Sequence, residues 1–101
     1  MIIEWLKFRV SPSLREEFIE IDRQIWTNKL KTYSGFLGKE ILLNSDQRDE
    51  VIMIIRWQSR EQWKNIPQED LDITEQQFAQ KMQGKKYQMI ESLEHQVRKF
   101  P

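Results

Sequence analysis

The chain has no cysteine. This excludes a disulfide frame, thiolate chemistry and any zinc site built on sulfur. It has a single histidine, His95, so the nitrogen-rich ligand sets of catalytic zinc sites are excluded too. Net charge is also absent, because sixteen Lys and Arg balance sixteen Asp and Glu. A balanced chain has no bulk electrostatic hold on nucleic acid or on an anionic membrane. No apolar run approaches the ~20 residues that span a bilayer. The start, Met1-Ile2-Ile3-Glu4-Trp5, lacks the basic-then-apolar order of a signal peptide. Neither G-x-G-x-x-G nor G-x-x-x-x-G-K-[ST] occurs, so no phosphate cradle is visible. The expectation is a cytoplasmic protein with no metal or other cofactor and with neither nucleic acid nor membrane as partner.

What is present is one domain. A chain of 101 residues is near the common domain size and buries about two thirds of its unfolded surface. Its most informative stretch is Glu50-Val51-Ile52-Met53-Ile54-Ile55-Arg56-Trp57. Five consecutive apolar residues do not alternate as a half-wet strand does, and they read as a central strand covered on both sides. Ser59-Arg60-Glu61-Gln62-Trp63 then opens a helix, with the serine as cap and glutamine three residues on.

The flanking segments follow simple periods. Ile2 to Val10 alternates as a strand, with Leu6, Phe8 and Val10 on one face and Ile3, Trp5, Lys7 and Arg9 on the other. Pro12 suits the first turn of a helix, and Ser13 with Glu16 offers an alternative capping box. Leu14, Phe18, Ile21 and Ile25, widened by Trp26, Leu30 and Tyr33, make the stripe of a helix of roughly twenty residues. Gly35 is placed to end it in a left-handed conformation. Phe36 to Asn44 reads as a strand with Leu37, Ile41 and Leu43 on one face and Phe36 and Leu42 on the other. It forms a hairpin with the central strand through the polar turn Ser45–Asp49. The helix from Ser59 ends near Ile66, ahead of Pro67. A further helix runs from about Pro67 to Gln83, with Leu71, Phe78 and Met82 on one face and Gly84 as its end. Gln88 to Phe100 is the last strand.

Strand, helix, strand, strand, helix, strand is the order of a ferredoxin-like α+β fold, an antiparallel sheet with its helices on one face. The first and third strands are then central, in agreement with the apolar run. The uncovered sheet face calls for a second copy of the chain, so a face-to-face homodimer with C₂ symmetry is expected.

Two motifs carry a resemblance. Tyr33-Ser34-Gly35-Phe36-Leu37-Gly38-Lys39-Glu40-Ile41-Leu42 resembles the helix-to-strand junction of the antibiotic biosynthesis monooxygenase superfamily. Ile55-Arg56-Trp57-Gln58-Ser59-Arg60-Glu61-Gln62-Trp63 is similar to that superfamily's third strand and following helix. Within the superfamily the chain resembles more closely a group of small cyanobacterial proteins. The resemblance implies a dimeric α/β barrel with a pocket between sheet and helices, in a group containing cofactor-free oxygenases of polycyclic phenols and haem-degrading enzymes. The haem-degrading members carry an iron-ligating histidine on the second helix, where Leu71–Phe78 has none. They also use an asparagine on the first strand, where this chain has Lys7, Phe8 and Arg9. The resemblance therefore points away from haem cleavage.

The candidate site residues follow. Trp26, Tyr33, Trp57, Trp63 and Phe78 fall where helix and sheet meet, and they suit a flat apolar ligand such as a quinone, polyphenol or tetrapyrrole; equally, they suit a core of large side chains. His95 is a candidate general base, sharing a strand face with Glu91, or else a dimer-contact histidine. Arg56 is a candidate clamp for a ligand carboxylate, or a partner for an acid across the dimer. Asp22 and Glu4 are candidate pocket carboxylates, but a flanking solvated acid and an edge residue are the simpler readings. Trp5 belongs at the dimer face, and Lys85-Lys86 in a solvated loop. Gly35-Phe36-Leu37-Gly38 echoes RNA-recognition domains, but the third strand lacks their stacking aromatics and the chain lacks a basic surface. Two functions stand against each other: a binder of small aromatic or apolar molecules acting as a cofactor-independent monooxygenase, and a non-catalytic dimeric module for ligand sensing or protein interaction.

Overall fold

The structure is a computed structural model and describes residues 1–99. Four strands form one antiparallel sheet: β1 (Ile2–Arg9), β2 (Phe36–Leu43), β3 (Glu50–Trp57) and β4 (Gln88–Gln96). Their order across the sheet is β2-β3-β1-β4. Between β1 and β2 run a 3₁₀ turn (Pro12–Leu14), α1 (Arg15–Asp22), a π-helical turn (Arg23–Thr27) and α2 (Asn28–Leu30). Between β3 and β4 lie α3 (Arg60–Lys64) and α4 (Gln68–Met82). This is the expected ferredoxin-like α+β arrangement, with β1 and β3 central. Phe100, the expected end of the last strand, lies outside the described residues.

The β1–β3 register decides which side chains meet the helices. Ile2 pairs with Trp57, Glu4 with Ile55, Leu6 with Met53 and Phe8 with Val51. Val51, Met53, Ile55 and Trp57 are all buried, and Val10 continues the covered face of β1 beyond the strand end. The intervening Ile52, Ile54 and Arg56 stay partly exposed. In the single chain β3 is thus covered on one side only, unlike the doubly covered strand expected from its apolar run. Its other side, with Ile52 and Ile54 between Glu50 and Arg56, is open.

Two β-bulges alter the expected faces. In β2 the register with β3 slips between Phe36 and Gly38. The extra residue brings Phe36 into phase with Lys39 and Ile41, so Phe36 packs edge-on to Trp57 at 5.7 Å while Leu37 is left half exposed. In β4 the pairing passes from Glu91 to Met89 opposite Lys7 and Phe8, skipping Ile90. Met89 is thereby brought into phase with the covered side, while Glu91, Leu93 and His95 share the open side.

The long helical segment follows its predicted stripe as far as Leu30, but Tyr33 falls in the turn after it. At Asn28 the N–H donates to the Arg23 carbonyl five residues back. In an α-helix each four-residue step overshoots the 3.6-residue turn, and the wider π turn takes that overshoot back. Phe18, Asp22 and Trp26 consequently keep to one side. Neither serine caps this segment by its side chain; Ser11 and Ser13 bond to each other instead, at 3.0 Å.

The remaining boundaries have local causes. Ser59 caps α3 by accepting from the Gln62 N–H at 3.1 Å, as its sequence predicts. Gly35 takes a positive φ of 96°, and a Cβ there would stand 2.8 Å from Gln62 Cβ, so the junction tolerates no side chain. Gln83, with φ 53°, is the left-handed cap of α4, one residue before the expected Gly84. Among the described residues no helix is long and apolar enough to cross a membrane.

Candidate functional site

Between the covered sheet face and the helices lies a cavity of about 280 Å³. Its walls come from every layer of the fold: Leu6 and Phe8 on β1, Met53, Ile55 and Trp57 on β3, Trp26 in the π turn and Phe78 on α4. Trp63 and Leu71 close it on the α3–α4 side. Phe18 sits under this wall, 5.2 Å from Phe8 and 5.5 Å from Phe78, ring centre to ring centre. Exposed Met89 and Glu75 contribute at the rim. The two apolar clusters of the core meet around this space, with Leu6 and Trp26 packed against both.

Of the residues expected in a pocket, Trp26, Trp57, Trp63 and Phe78 do line it. Tyr33 lies behind the lining, packed on the Ile2–Leu30–Trp57 cluster, and its hydroxyl donates to Asp70 at 2.7 Å. Arg56 lies on the open sheet face and pairs with Glu40 of the same chain. His95 is exposed on that same open face, edge-on to Trp5 at 6.4 Å, while the Trp5 indole donates to Glu91 at 2.7 Å. The structure therefore brings four of the aromatics together and sets His95 and Arg56 apart from them, on the side where Trp5 was expected.

Two acids have moved the other way. Asp22, read as a solvated flank, is 4% exposed and lines the cavity. It accepts from the Lys39 ammonium at 2.5 Å, and both side chains are buried. Burial raises the Asp22 carboxyl above the ordinary range, and the Lys39 charge only partly offsets this. Glu4, read as an edge residue, also lines the cavity and accepts from the Trp57 indole N–H at 3.2 Å. Burial pushes its carboxyl up as well, against that hydrogen bond and the charges of Lys39 and Lys64. A partly dry carboxyl with a raised pKa beside an aromatic-walled space is a stronger base than a solvated carboxylate and a candidate for moving a proton.

Lys39 was missed as a site residue, yet its position carried a signal. It alternates with Ile41 on an apolar phase of β2, as Glu4 alternates with Ile2, Leu6 and Phe8 on β1. A charge in register with a buried face is a polar group delivered to the interior. Tyr87, also missed, lines the cavity and donates its hydroxyl to Glu75 at 2.8 Å. Among the described residues no group of three or more histidine and acidic side chains is arranged to hold a metal.

Comparison with known proteins places this geometry in a family. The family model described as antibiotic biosynthesis monooxygenase matches residues 1–70. No curated protein matches the chain in sequence. Among solved structures it is similar to SnoaB, a cofactor-independent oxygenase from Streptomyces nogalater, with TM-score 0.70 and 14% identity over 98% of this chain and 94% of that one. It is also similar to the ActVA-Orf6 monooxygenase of Streptomyces coelicolor, solved with the ligand nanaomycin D. The TM-score there is 0.73 at 12% identity, covering 99% of this chain and 89% of that one. A conserved protein from Methanosarcina mazei Go1 has TM-score 0.66 at 15% identity, covering 96% and 92%. At these identities the likeness is one of fold.

The tyrosines offer a check on the site's polar contacts. Burial first, and the Asp70 and Glu75 carboxylates second, push Tyr33 and Tyr87 each up to about 12. The folded state then binds the phenolic protons more tightly than the unfolded chain. The resulting stability is full below about pH 10 and is lost as pH rises through 12. Absorbance titration of phenolate is expected to show both tyrosines ionising near 12 in the folded protein. Ionisation of the folded protein at the ordinary value would contradict these contacts.

Proposed function

The chain belongs to the antibiotic biosynthesis monooxygenase family, and from that premise we propose that it binds a small aromatic or apolar molecule in the cavity and oxidises it as a cofactor-independent monooxygenase. The observation that supports this reading is that the Glu4 carboxyl, held by the Trp57 indole N–H, lines the same cavity as Trp26 and Trp63. At about 280 Å³ the cavity lies at the lower end of ligand pockets, which run roughly from 300 to 1,000 Å³. One or two fused rings match it better than a larger polycycle.

The chemistry asks little of the protein. A phenol that loses its proton becomes electron-rich enough to react with dioxygen. One oxygen atom ends as a new quinone carbonyl and the other leaves as water, with the four electrons coming from the phenol. The chain contributes a base and a dry aromatic wall. Glu4 is the base in this proposal, because it is in the cavity. His95 keeps its other reading, a contact on the open sheet face.

That open face supports the second half of the proposal, a homodimer. Trp5 stands between Ile54 and Leu93 across the strands, and Lys7 pairs with Ile52 and Glu91. Leu42 and Leu93 are 37% and 44% exposed in the single chain. A sheet face with an apolar centre of Trp5, Ile52, Ile54, Leu42 and Leu93 among charged residues suits an interface, and a second copy offers the self-complementary surface that C₂ packing needs. Charge placed at its centre is expected to split the pair: Ile54→Glu sediments as a monomer where the native chain sediments as a dimer. A monomeric native chain would remove this part of the proposal.

Turnover tests the rest. With a panel of one- and two-ring phenols and a chelator present, the protein is expected to consume oxygen and form quinone. The rate rises with pH through a limb above the ordinary carboxylate range, because protonated Glu4 cannot act as base. Glu4→Gln is expected to lower kcat by about a hundredfold or more while leaving ligand binding within a few-fold. Binding without any oxygen uptake by the native protein would favour the ligand-sensing reading. Native kinetics in Glu4→Gln would take the base elsewhere.

A further inference from the structure

Lys39 is the only cation that lines the cavity among the described residues, and it is already taken. Asp22 holds its ammonium at 2.5 Å, and the two side chains are 5% and 4% exposed. The other charged groups facing the space are acids: Glu4 within it and Glu75 at the exposed rim. Lys64 reaches the neighbourhood from outside, its ammonium 3.9 Å from the Trp63 ring centre, and it is solvent-exposed.

A ligand carboxylate entering this cavity meets no free cation. It would face the Glu4 carboxyl, and at Lys39 it would have to share with Asp22 an ammonium whose charge is already balanced. Sharing puts two buried negative groups on one cation, with the Glu4 carboxyl in the same lining. A neutral hydroxylated aromatic avoids this penalty, and its hydroxyl can bond to the Glu4 carboxyl that lines the cavity. We propose that Asp22 is a specificity-determining residue: by occupying Lys39 it makes the cavity selective for neutral aromatics over their carboxylate analogues. This rests on the reading of the cavity as an aromatic-ligand site. It adds to that reading a rule for which aromatics enter.

The probe pair is 2-naphthol and 2-naphthoate, the same ring system carrying a neutral hydroxyl or an ionised carboxylate at neutral pH. Binding is read by calorimetry and by quenching of tryptophan fluorescence. The native protein is expected to bind naphthol at least tenfold more tightly than naphthoate. An apolar wall alone also disfavours an anion, so the deciding variant is Asp22→Asn, which releases the Lys39 charge while retaining an acceptor. There the naphthol-to-naphthoate ratio is expected to fall at least fivefold, through a gain in naphthoate affinity. Asp22→Ser, which opens room beside the ammonium, carries the same expectation if the asparagine variant does not fold.

Naphthoate bound as tightly as naphthol by the native protein would overturn the inference. So would an unchanged ratio in a folded Asp22 variant. If the native protein binds neither probe, the aromatic-ligand reading fails and the selectivity rule falls with it.

Discussion

The register between β1 and β3 is the constraint on which everything else in this fold depends. Side chains alternate across a strand, so a fixed pairing commits every residue of both strands to a face. With Leu6 opposite Met53 and Phe8 opposite Val51, the apolar phase goes under the helices, and Glu4 has to go with it. The same pairing sends Trp5, Ile52 and Ile54 to the open side. A slip of one residue would exchange the two sets and expose the core. The site and the proposed dimer surface are therefore two consequences of one register.

Burying charge has a cost that the rest of the site is arranged around. Lys39 and Asp22 neutralise each other across the gap between β2 and the end of α1. Removing one partner of such a pair typically costs about 3–5 kcal/mol, whereas an apolar replacement of both is often neutral. The pair is thus a poor device for stability alone, and its place in a cavity wall fits a role towards a ligand. Glu4 has only an indole N–H and more distant cations. Burial outweighs these, as it outweighs Lys39 at Asp22. The β4 bulge that brings Met89 to the covered side and the π turn that keeps Trp26 in line with Asp22 are local departures that complete this wall. Bulges and π turns recur at functional sites for this reason: each re-aims a side chain without changing the fold.

Much of this was legible before any coordinates. The order of elements, the central position of β3, the Ser59 cap and the cluster of Trp26, Trp57, Trp63 and Phe78 all follow from periodicity and capping chemistry. The two bulges were not, because an inserted residue leaves the strand's composition unchanged and only reverses its phase beyond that point. This is why Leu37 and Phe36 exchanged their expected environments. The fate of Glu4 and Lys39 was written in their phase but discounted by their charge. Alternation places both on covered faces, and the general tendency of acids and lysines to be solvated argued against following it. His95 is the only histidine, and simple alternation grouped it with Met89, Glu91 and Leu93 without choosing a side; the bulge parts Met89 from the other three and leaves His95 on the open face.

The four tryptophans allow the central claim to be tested within one spectrum, because Trp26, Trp57 and Trp63 line the cavity while Trp5 lies on the opposite face of the sheet. The measurement is a two-dimensional nitrogen–proton NMR titration of the indole N–H signals with a small neutral phenol. A ligand between sheet and helices is expected to shift the signals of Trp26, Trp57 and Trp63 and to leave that of Trp5 in place. Saturable shifts confined to Trp5, or none at all, would contradict the account: the aromatic wall would then be core, and the working surface would be the open face.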